Sequence, residues 1–198
     1  LLVAMAMSDT LTSKQFYELF MRLEEDMSLN ETFVLGDLKY SLPEETNKWI
    51  ESMDWDLEIK KLQEQKVKVI TILDGGYPQR LKEIYLPPIV LFYRGNLSLI
   101  NRRAVAIVGS RDHSKYAKDC IHELIPVLVN DDIVVISGLA RGVDTLAHEE
   151  TLKANGSTIA VIGSGLNVVY PSENSKLYDA IAKRGLILSE YPLQSRPL

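Results

Sequence analysis

The sequence predicts an α/β fold in which a doubly wound parallel sheet follows a small helical domain. Three observations support this class. From residue 104 onward, apolar runs of strand length alternate with segments of helical spacing. These runs are continuous and do not alternate with polar residues, which is typical of strands covered by helices on both faces. The first three runs each end in a glycine turn, at Gly109, Gly138 and Gly163, and this spacing favours successive βαβ units.

Residues 1–66 predict two to four short helices, which form the small helical domain. Apolar side chains recur at helical spacing without strand-like alternation, at Phe16, Leu19, Phe20 and Leu23. The opening LLVAMAM has no basic segment before it. It is therefore interpreted as the first turns of a buried helix and not as a signal peptide.

Residues 67–100 are predicted to form a connector that contributes one or more strands. VKVITIL is a strand candidate, and DGGYP after it is rich in turn residues. The pair Pro87-Pro88 cannot lie inside a helix, so it separates QRLKEIYL from a second extended segment, IVLFYRG.

Residues 101–198 carry the βαβ pattern. The predicted strands are AVAIVG, IVVISG, TIAVIG and LILSEY, and the predicted helices between them are KYAKDCIHELIPVL, VDTLAHEETLKA and NSKLYDAIAKRG. Asn155-Gly156 ends the second helix with residues that favour a helix C-terminus. We expect this domain to be Rossmann-like.

The composition is that of an ordinary soluble globular protein. Of the 198 residues, 46% are hydrophobic and 25% are charged, and no apolar run is long enough to cross a bilayer. The single cysteine, Cys120, excludes a disulfide framework and a cysteine metal cluster, and it suits the reducing cytoplasm.

The net charge of −5 is unevenly distributed. Residues 1–100 hold 11 basic and 16 acidic side chains, whereas residues 101–198 hold 11 of each. A neutral second half can still present a local cationic patch to a phosphate backbone.

Three glycine turns are predicted to lie at one edge of the sheet, where the carboxyl ends of parallel strands meet. They are GSRDHS (109–114), SGLARG (137–142) and GSGLN (163–167). Glycine allows close approach of a ligand, helix N-termini attract anions, and Arg111 and Arg141 provide forked donors that suit phosphate. Ser110, Ser137 and Ser164 add hydroxyl groups. Any one turn is explained by a tight connection, but three together favour an anion site.

The motifs of the common cofactor and metal sites are absent. The first turn lacks G-x-G-x-x-G, and the chain contains no G-x-x-x-x-G-K-[ST], no H-E-x-x-H and no G-x-S-x-G. We therefore expect no cofactor, no metal and no serine nucleophile.

Asp144 and His148 lie four residues apart on one predicted helix, so they could face each other as an acid–base pair. That arrangement would suit a nucleotide-binding enzyme or sensor, such as a nucleotide N-glycosyl hydrolase. Because no nucleophile or metal partner accompanies them, a scaffolding role in the second turn is favoured.

Five segments together resemble the DNA-processing protein A family, also called DprA or Smf. They are DGGYPQRLKEIYLPPIVLFYRGN (74–96), AIVGSR (106–111), SGLARGVDTLAH (137–148), GSTIAVIGSGLNVVYPSEN (156–174) and LILSEYP (186–192). The clear match covers residues 67–192, and the helical residues 1–66 are compatible with the small N-terminal SAM-like domain of the family.

The resemblance implies a single-stranded DNA-binding protein of natural transformation and recombination. Members protect incoming strands, help to load the RecA recombinase, generally act as homodimers and have no established enzymatic activity. The family continues with further strands after the position of Leu198, so the Rossmann-like DNA-binding domain 101–198 is expected to be incomplete at its C-terminal side.

The resemblance also implies which residues line the DNA pocket. By position these are Gly109, Ser110, Arg111, Ser137, Gly138, Arg141, Gly163, Gly165, Asn174 and Lys176. Arg111 is the strongest candidate for a phosphate contact. Where members often carry a basic residue after the Tyr-Pro of the third turn, this chain has Ser172 and Glu173, with Lys176 shortly after.

Overall fold

A computed structural model describes residues 2–8, 11–29 and 42–197, without the side chains of 13 and 23–29. The chain divides into two compact units, Leu1–Leu91 and Phe92–Leu198. The division between them falls inside the segment 67–100, which the sequence predicts to be a connector.

The first unit is mainly helical. It contains helices α1 (Leu2–Met7), α2 (Ser13–Leu29), α3 (Glu44–Ser52), α4 (Trp55–Glu64) and α5 (Gln79–Lys82), and strand β1 (Lys68–Thr71). The described parts of 1–66 thus hold four helices, as predicted. Ala4 and Met5 of α1 are buried, which agrees with the interpretation of LLVAMAM as a buried helix, and Phe20 of α2 is buried as well. The side chain of Leu23 lies outside the described set.

The elements that follow alternate as predicted. They are β2 (Val90–Gly95), a 3-10 helix (Leu97–Asn101), β3 (Ala104–Ala106), α6 (Lys115–Asn130), β4 (Val134–Ser137), α7 (Val143–Lys153), β5 (Thr158–Val161), a second 3-10 helix (Ser172–Asn174), α8 (Ser175–Arg184) and β6 (Leu186–Ser189). Ser114 begins α6 by accepting the Ala117 N–H at 3.2 Å, as serine does at many helix N-termini.

The six strands form one sheet in the order β1-β2-β6-β5-β4-β3. Strands β3 to β6 are mutually parallel, with Ala104 opposite Val134 and Ile159 opposite Leu186, and β2 joins β6 in the antiparallel direction. This arrangement confirms the predicted α/β class with a mainly parallel sheet.

Two apolar clusters hold the second unit together. On one side of the sheet, α6 packs against α7, with Ile125, Val135 and Ala147 at the centre of the contact. The other cluster joins the 3-10 helix Leu97–Asn101 to β4, β5 and β6 through Leu99 and its neighbours. Val134 and Val135, which follow each other in β4, thus point to opposite faces of the sheet, because side chains alternate along a strand.

Strand β3 differs from the fully covered strand that its apolar sequence predicts. Ala104, Val105 and Ala106 are all exposed, and Val108 just after them is 72% exposed. The reason is that β3 forms the edge of the sheet in the described part of the chain, so neighbouring side chains cover it from one side only. Among the described residues, no helix combines the length and apolar character needed to cross a membrane.

Candidate nucleic-acid interface

The first and second glycine turns are in direct contact. The Val143 N–H donates to the Ser110 carbonyl at 3.1 Å. Gly142 has φ of +81°, and a Cβ atom at this residue would overlap the carbonyls of Ser110 and Arg111. A Cβ atom at Gly109 would lie 2.7 Å from Val143. Glycine at these two positions is therefore explained by the packing of one turn on the other.

Asp144 holds the second turn in shape. Its Oδ2 accepts the N–H of Gly138 at 3.0 Å and that of Ala140 at 3.4 Å, and its side chain is buried. The Ser137 hydroxyl is also buried and donates to the Ile107 carbonyl at 2.6 Å, which ties the end of β4 to β3. The scaffolding role favoured for Asp144 is confirmed.

His148 is fully buried and bonds to Thr158 instead of Asp144. The Thr158 hydroxyl donates to the Val135 carbonyl at 2.8 Å, so the N–H at His148 Nδ1 is assigned as donor to Thr158 Oγ1, 2.7 Å away. Burial lowers the pKa of His148 to about 4, although the Ser137 carbonyl partly opposes this change. The ring is therefore neutral at pH 7 and belongs to the core.

The third turn is braced from two directions. Gly165 is buried, its N–H donates to the Ser195 carbonyl at 2.9 Å, and a Cβ atom here would overlap the backbone of Pro192. From β2, Arg94 donates to the Leu166 carbonyl at 2.7 Å and to Asn167 Oδ1 at 2.8 Å. The sequence reasoning missed Arg94, because no local pattern links it to a turn more than 70 residues later.

Asn174 and Ser164 also point into the protein. The Asn174 amide donates to the Leu139 carbonyl at 3.0 Å and to Thr145 Oγ1 at 2.8 Å, and only 6% of the residue is exposed. The buried Ser164 hydroxyl donates to the Val168 carbonyl at 3.1 Å. Asn174 thus fixes the segment after the third turn against the second turn.

A second group of the predicted site residues is exposed. Arg111 and Lys176 are both exposed, and neither side chain has a hydrogen bond or ion pair with any other residue that the structure describes. Ser110 is exposed, and its hydroxyl donates to the Asp112 carbonyl at 2.8 Å and accepts the Asp112 N–H at 3.1 Å. Gly163 is exposed, and a Cβ atom built there would meet nothing within 4 Å.

Arg141 is exposed but paired. Its Nε lies 2.8 Å and its Nη2 lies 2.7 Å from Glu173 Oε1. The backbone N–H of Glu173 and the Arg141 guanidinium hold the pKa of the Glu173 carboxyl below its usual range. The family resemblance marks Glu173 as unusual at this position but does not identify its partner, which lies 32 residues away.

The exposed groups suit an anionic chain better than a metal or a small apolar ligand. Guanidinium and ammonium donors bind phosphate oxygens, and Gly163 leaves room for close approach of a backbone. Tyr116 and Tyr170 are 78% and 51% exposed and could stack on bases. Within the described residues, no three His, Cys, Asp or Glu side chains are grouped closely enough to hold a metal ion.

Comparison with known proteins places these features in a family. The family model described as DNA recombination-mediator protein A matches residues 68–198. The DNA processing protein DprA of Streptococcus pneumoniae is 48% identical over 134 residues, which cover 68% of this chain and 47% of that protein. The chain spans about half the length of the curated relatives it matches.

Two solved structures are similar in fold. The X-ray structure of DprA from Streptococcus pneumoniae gives a TM-score of 0.82 at 38% identity, covering 99% of this chain and 68% of that one. A structure that reports the single-stranded DNA binding mode of DNA processing protein A from Helicobacter pylori gives 0.58 at 30% identity, covering 67% and 59%. This chain belongs to the DNA recombination-mediator protein A family, also called DprA or Smf.

Proposed function

We propose that this chain binds single-stranded DNA through the strand-end edge of its second unit. The DNA backbone would lie along the three glycine turns, with Arg111 as the main phosphate contact. The observation that carries this proposal is the exposed Arg111 side chain, which has no partner among the described residues and stands on a turn locked by Gly109 and Gly142. Because the backbone of this turn is already fixed, binding a phosphate has to order only the Arg111 side chain.

The predicted pocket residues divide into two roles in this proposal. Direct contacts come from the exposed residues Ser110, Arg111, Arg141, Gly163 and Lys176. The remaining ones shape the turns through packing or internal hydrogen bonds, and they are Gly109, Ser137, Gly138, Gly165 and Asn174. Phosphate contacts then dominate the affinity, so binding weakens steeply as salt increases.

We further propose that the protein serves natural transformation and recombination by protecting incoming single strands and helping to load the RecA recombinase. It would do so as a homodimer, without catalysis, in the cytoplasm. In this proposal residues 101–198 form the DNA-binding domain, residues 67–100 the connector and residues 1–66 a separate helical domain. Family membership and the DNA-binding Helicobacter pylori relative support this role.

The alternative, a nucleotide N-glycosyl hydrolase or related nucleotide-binding enzyme, required Asp144 or His148 to reach a substrate. Both are buried, at 7% and 0% exposure; Asp144 Oδ2 accepts from the second turn and His148 Nδ1 bonds to Thr158. A general acid or base must come within hydrogen-bond reach of the proton that it transfers. The described geometry gives this alternative no support.

The test is a titration of fluorescent oligo-dT by anisotropy over a range of salt concentrations, with wild type and Arg111→Ala. Loss of one phosphate contact should weaken binding by roughly three- to ten-fold at low salt. It should also reduce the slope of log K against log salt by about 0.7.

Arg103→Ala is the matched control. Arg103 is exposed just before β3, at the opposite end of the strand from Arg111, so its loss removes the same charge away from the turns. Binding by the control should match wild type. Equal affinities for wild type and Arg111→Ala in low salt would contradict the proposal.

A further inference from the structure

In the second turn, the Glu173 carboxylate binds the exposed Arg141 guanidinium through the donors that would also bind a phosphate. Two adjacent guanidinium nitrogens of Arg141, Nε and Nη2, lie 2.8 and 2.7 Å from the same carboxylate oxygen. The Arg141 side chain is 59% exposed and that of Glu173 is 55% exposed. The guanidinium fork binds carboxylate and phosphate oxygens through the same donors, so the two anions are interchangeable here.

The position of Glu173 is fixed by its neighbour. Asn174 is anchored by hydrogen bonds to Leu139 and Thr145, so the short 3-10 helix Ser172–Asn174 is held beside the second turn. The Glu173 carboxyl, whose pKa is held below its usual range, is ionised at neutral pH. A permanent negative charge is therefore paired with Arg141, one of the cations that would meet DNA.

We propose that Glu173 is an internal competitor for the DNA phosphate, which occupies Arg141 until a strand displaces it and so sets the affinity of the edge. This inference rests on the proposed function. Arg111 has no such competitor among the described residues, so it can accept a phosphate at once. Arg141 contributes to the free energy of DNA binding only the difference between the phosphate contact that it gains and the carboxylate contact that it loses.

The competition also changes the dependence on salt. When DNA displaces Glu173, the released carboxylate attracts a cation from solution. That uptake cancels part of the cation release that drives binding to a phosphate backbone. Removing the charge of Glu173 should therefore both tighten binding and steepen its dependence on salt.

The experiment is a double-mutant cycle on the full chain, with oligo-dT anisotropy over a range of salt concentrations. The variants are Glu173→Gln, Arg141→Ala and the double variant. Asp131→Asn controls for net charge, because Asp131 is an exposed residue at the end of α6 remote from the turns. Thermal unfolding of each variant verifies that the fold is retained.

Glu173→Gln should bind about two- to five-fold more tightly than wild type at low salt, the range expected for releasing one exposed ion pair. Its slope of log K against log salt should steepen by up to about 0.7. The gain should disappear in the Arg141→Ala background. A gain no larger than that of Asp131→Asn, or an equal gain with and without Arg141, would overturn the inference.

The proposed function is tested separately in the same series. If Arg111→Ala weakens binding while Glu173→Gln has no effect, the DNA site stands and the competitor is rejected. If wild type and Arg111→Ala bind equally, both are rejected.

Discussion

The strand-end edge has a buried layer and an exposed layer, and polar side chains serve different purposes in the two. In the buried layer, Asp144 and Asn174 direct their polar atoms at backbone groups of the second turn. In the exposed layer, Arg111 and Lys176 direct theirs at solvent. The difference lies in what satisfies each polar group, because a buried one must be paired inside the protein and an exposed one can be paired by a ligand.

This contrast separates two kinds of mutation. Changes in the buried layer should lower the stability of the second unit and affect DNA only through the shape of the turns. Changes in the exposed layer should leave stability nearly constant and alter affinity directly. A large loss of stability from a change in the exposed layer would contradict this division, and so would a loss of affinity at unchanged stability from a change in the buried layer.

The largest expected effect is on stability, from Gly142→Ala. Alanine at φ of +81° is strained by about 1–2 kcal/mol, and overlap with the Ser110 and Arg111 carbonyls adds roughly 1–3 kcal/mol. The free energy of unfolding in urea should therefore fall by about 2–5 kcal/mol. A loss below about 1 kcal/mol would show that the first two turns are not packed as described.

The second largest expected effect is a pH dependence of the free energy of unfolding, which comes from His148. The pKa of His148 is about 4 in the folded protein and 6.5 in its ordinary state, so the unfolded chain binds the proton more tightly. The neutral His148 ring thus makes its full contribution to the free energy of unfolding above pH 6.5, and this contribution is lost as the pH falls towards 4. The difference corresponds to about 3 kcal/mol.

Urea unfolding at several pH values between 7.5 and 4 measures this effect. His148→Gln should lose that part of the pH dependence, whereas His113→Gln, which removes a more exposed ring, should keep it. Parallel pH profiles for wild type and His148→Gln would contradict a buried neutral histidine.

Much of the fold is predictable because its signals are local. Each apolar run and the glycine that ends it report a strand and its turn directly, so Gly109, Gly138 and Gly163 identify the three turns from the sequence alone. Parallel order follows from the helices between them. The exposed surface of β3 is not predictable, because the pattern of a strand does not reveal whether another strand lies beside it.

The candidate site is less predictable because burial and pairing depend on distant residues. Asn174 and Arg111 belong to the same set of family positions, yet only the fold reveals that the Asn174 amide is consumed by Leu139 and Thr145. The pairs Arg94–Asn167 and Arg141–Glu173 join residues 73 and 32 positions apart. No spacing rule within a helix or strand connects residues that far apart.

The smallest expected effect comes from Gly163→Ala and distinguishes a glycine kept for packing from one kept for a ligand. A Cβ atom at Gly163 meets nothing within 4 Å, so the free energy of unfolding should stay within about 0.5 kcal/mol of wild type. If a DNA backbone approaches closely here, the added methyl group should weaken oligo-dT binding by about two- to five-fold. Gly75→Ala, which also meets nothing within 4 Å but lies in the first unit, should change neither quantity. A loss of stability in Gly163→Ala would show that this glycine is needed for packing, like those of the buried layer. Unchanged affinity for oligo-dT would show that the DNA does not pass close to the third turn.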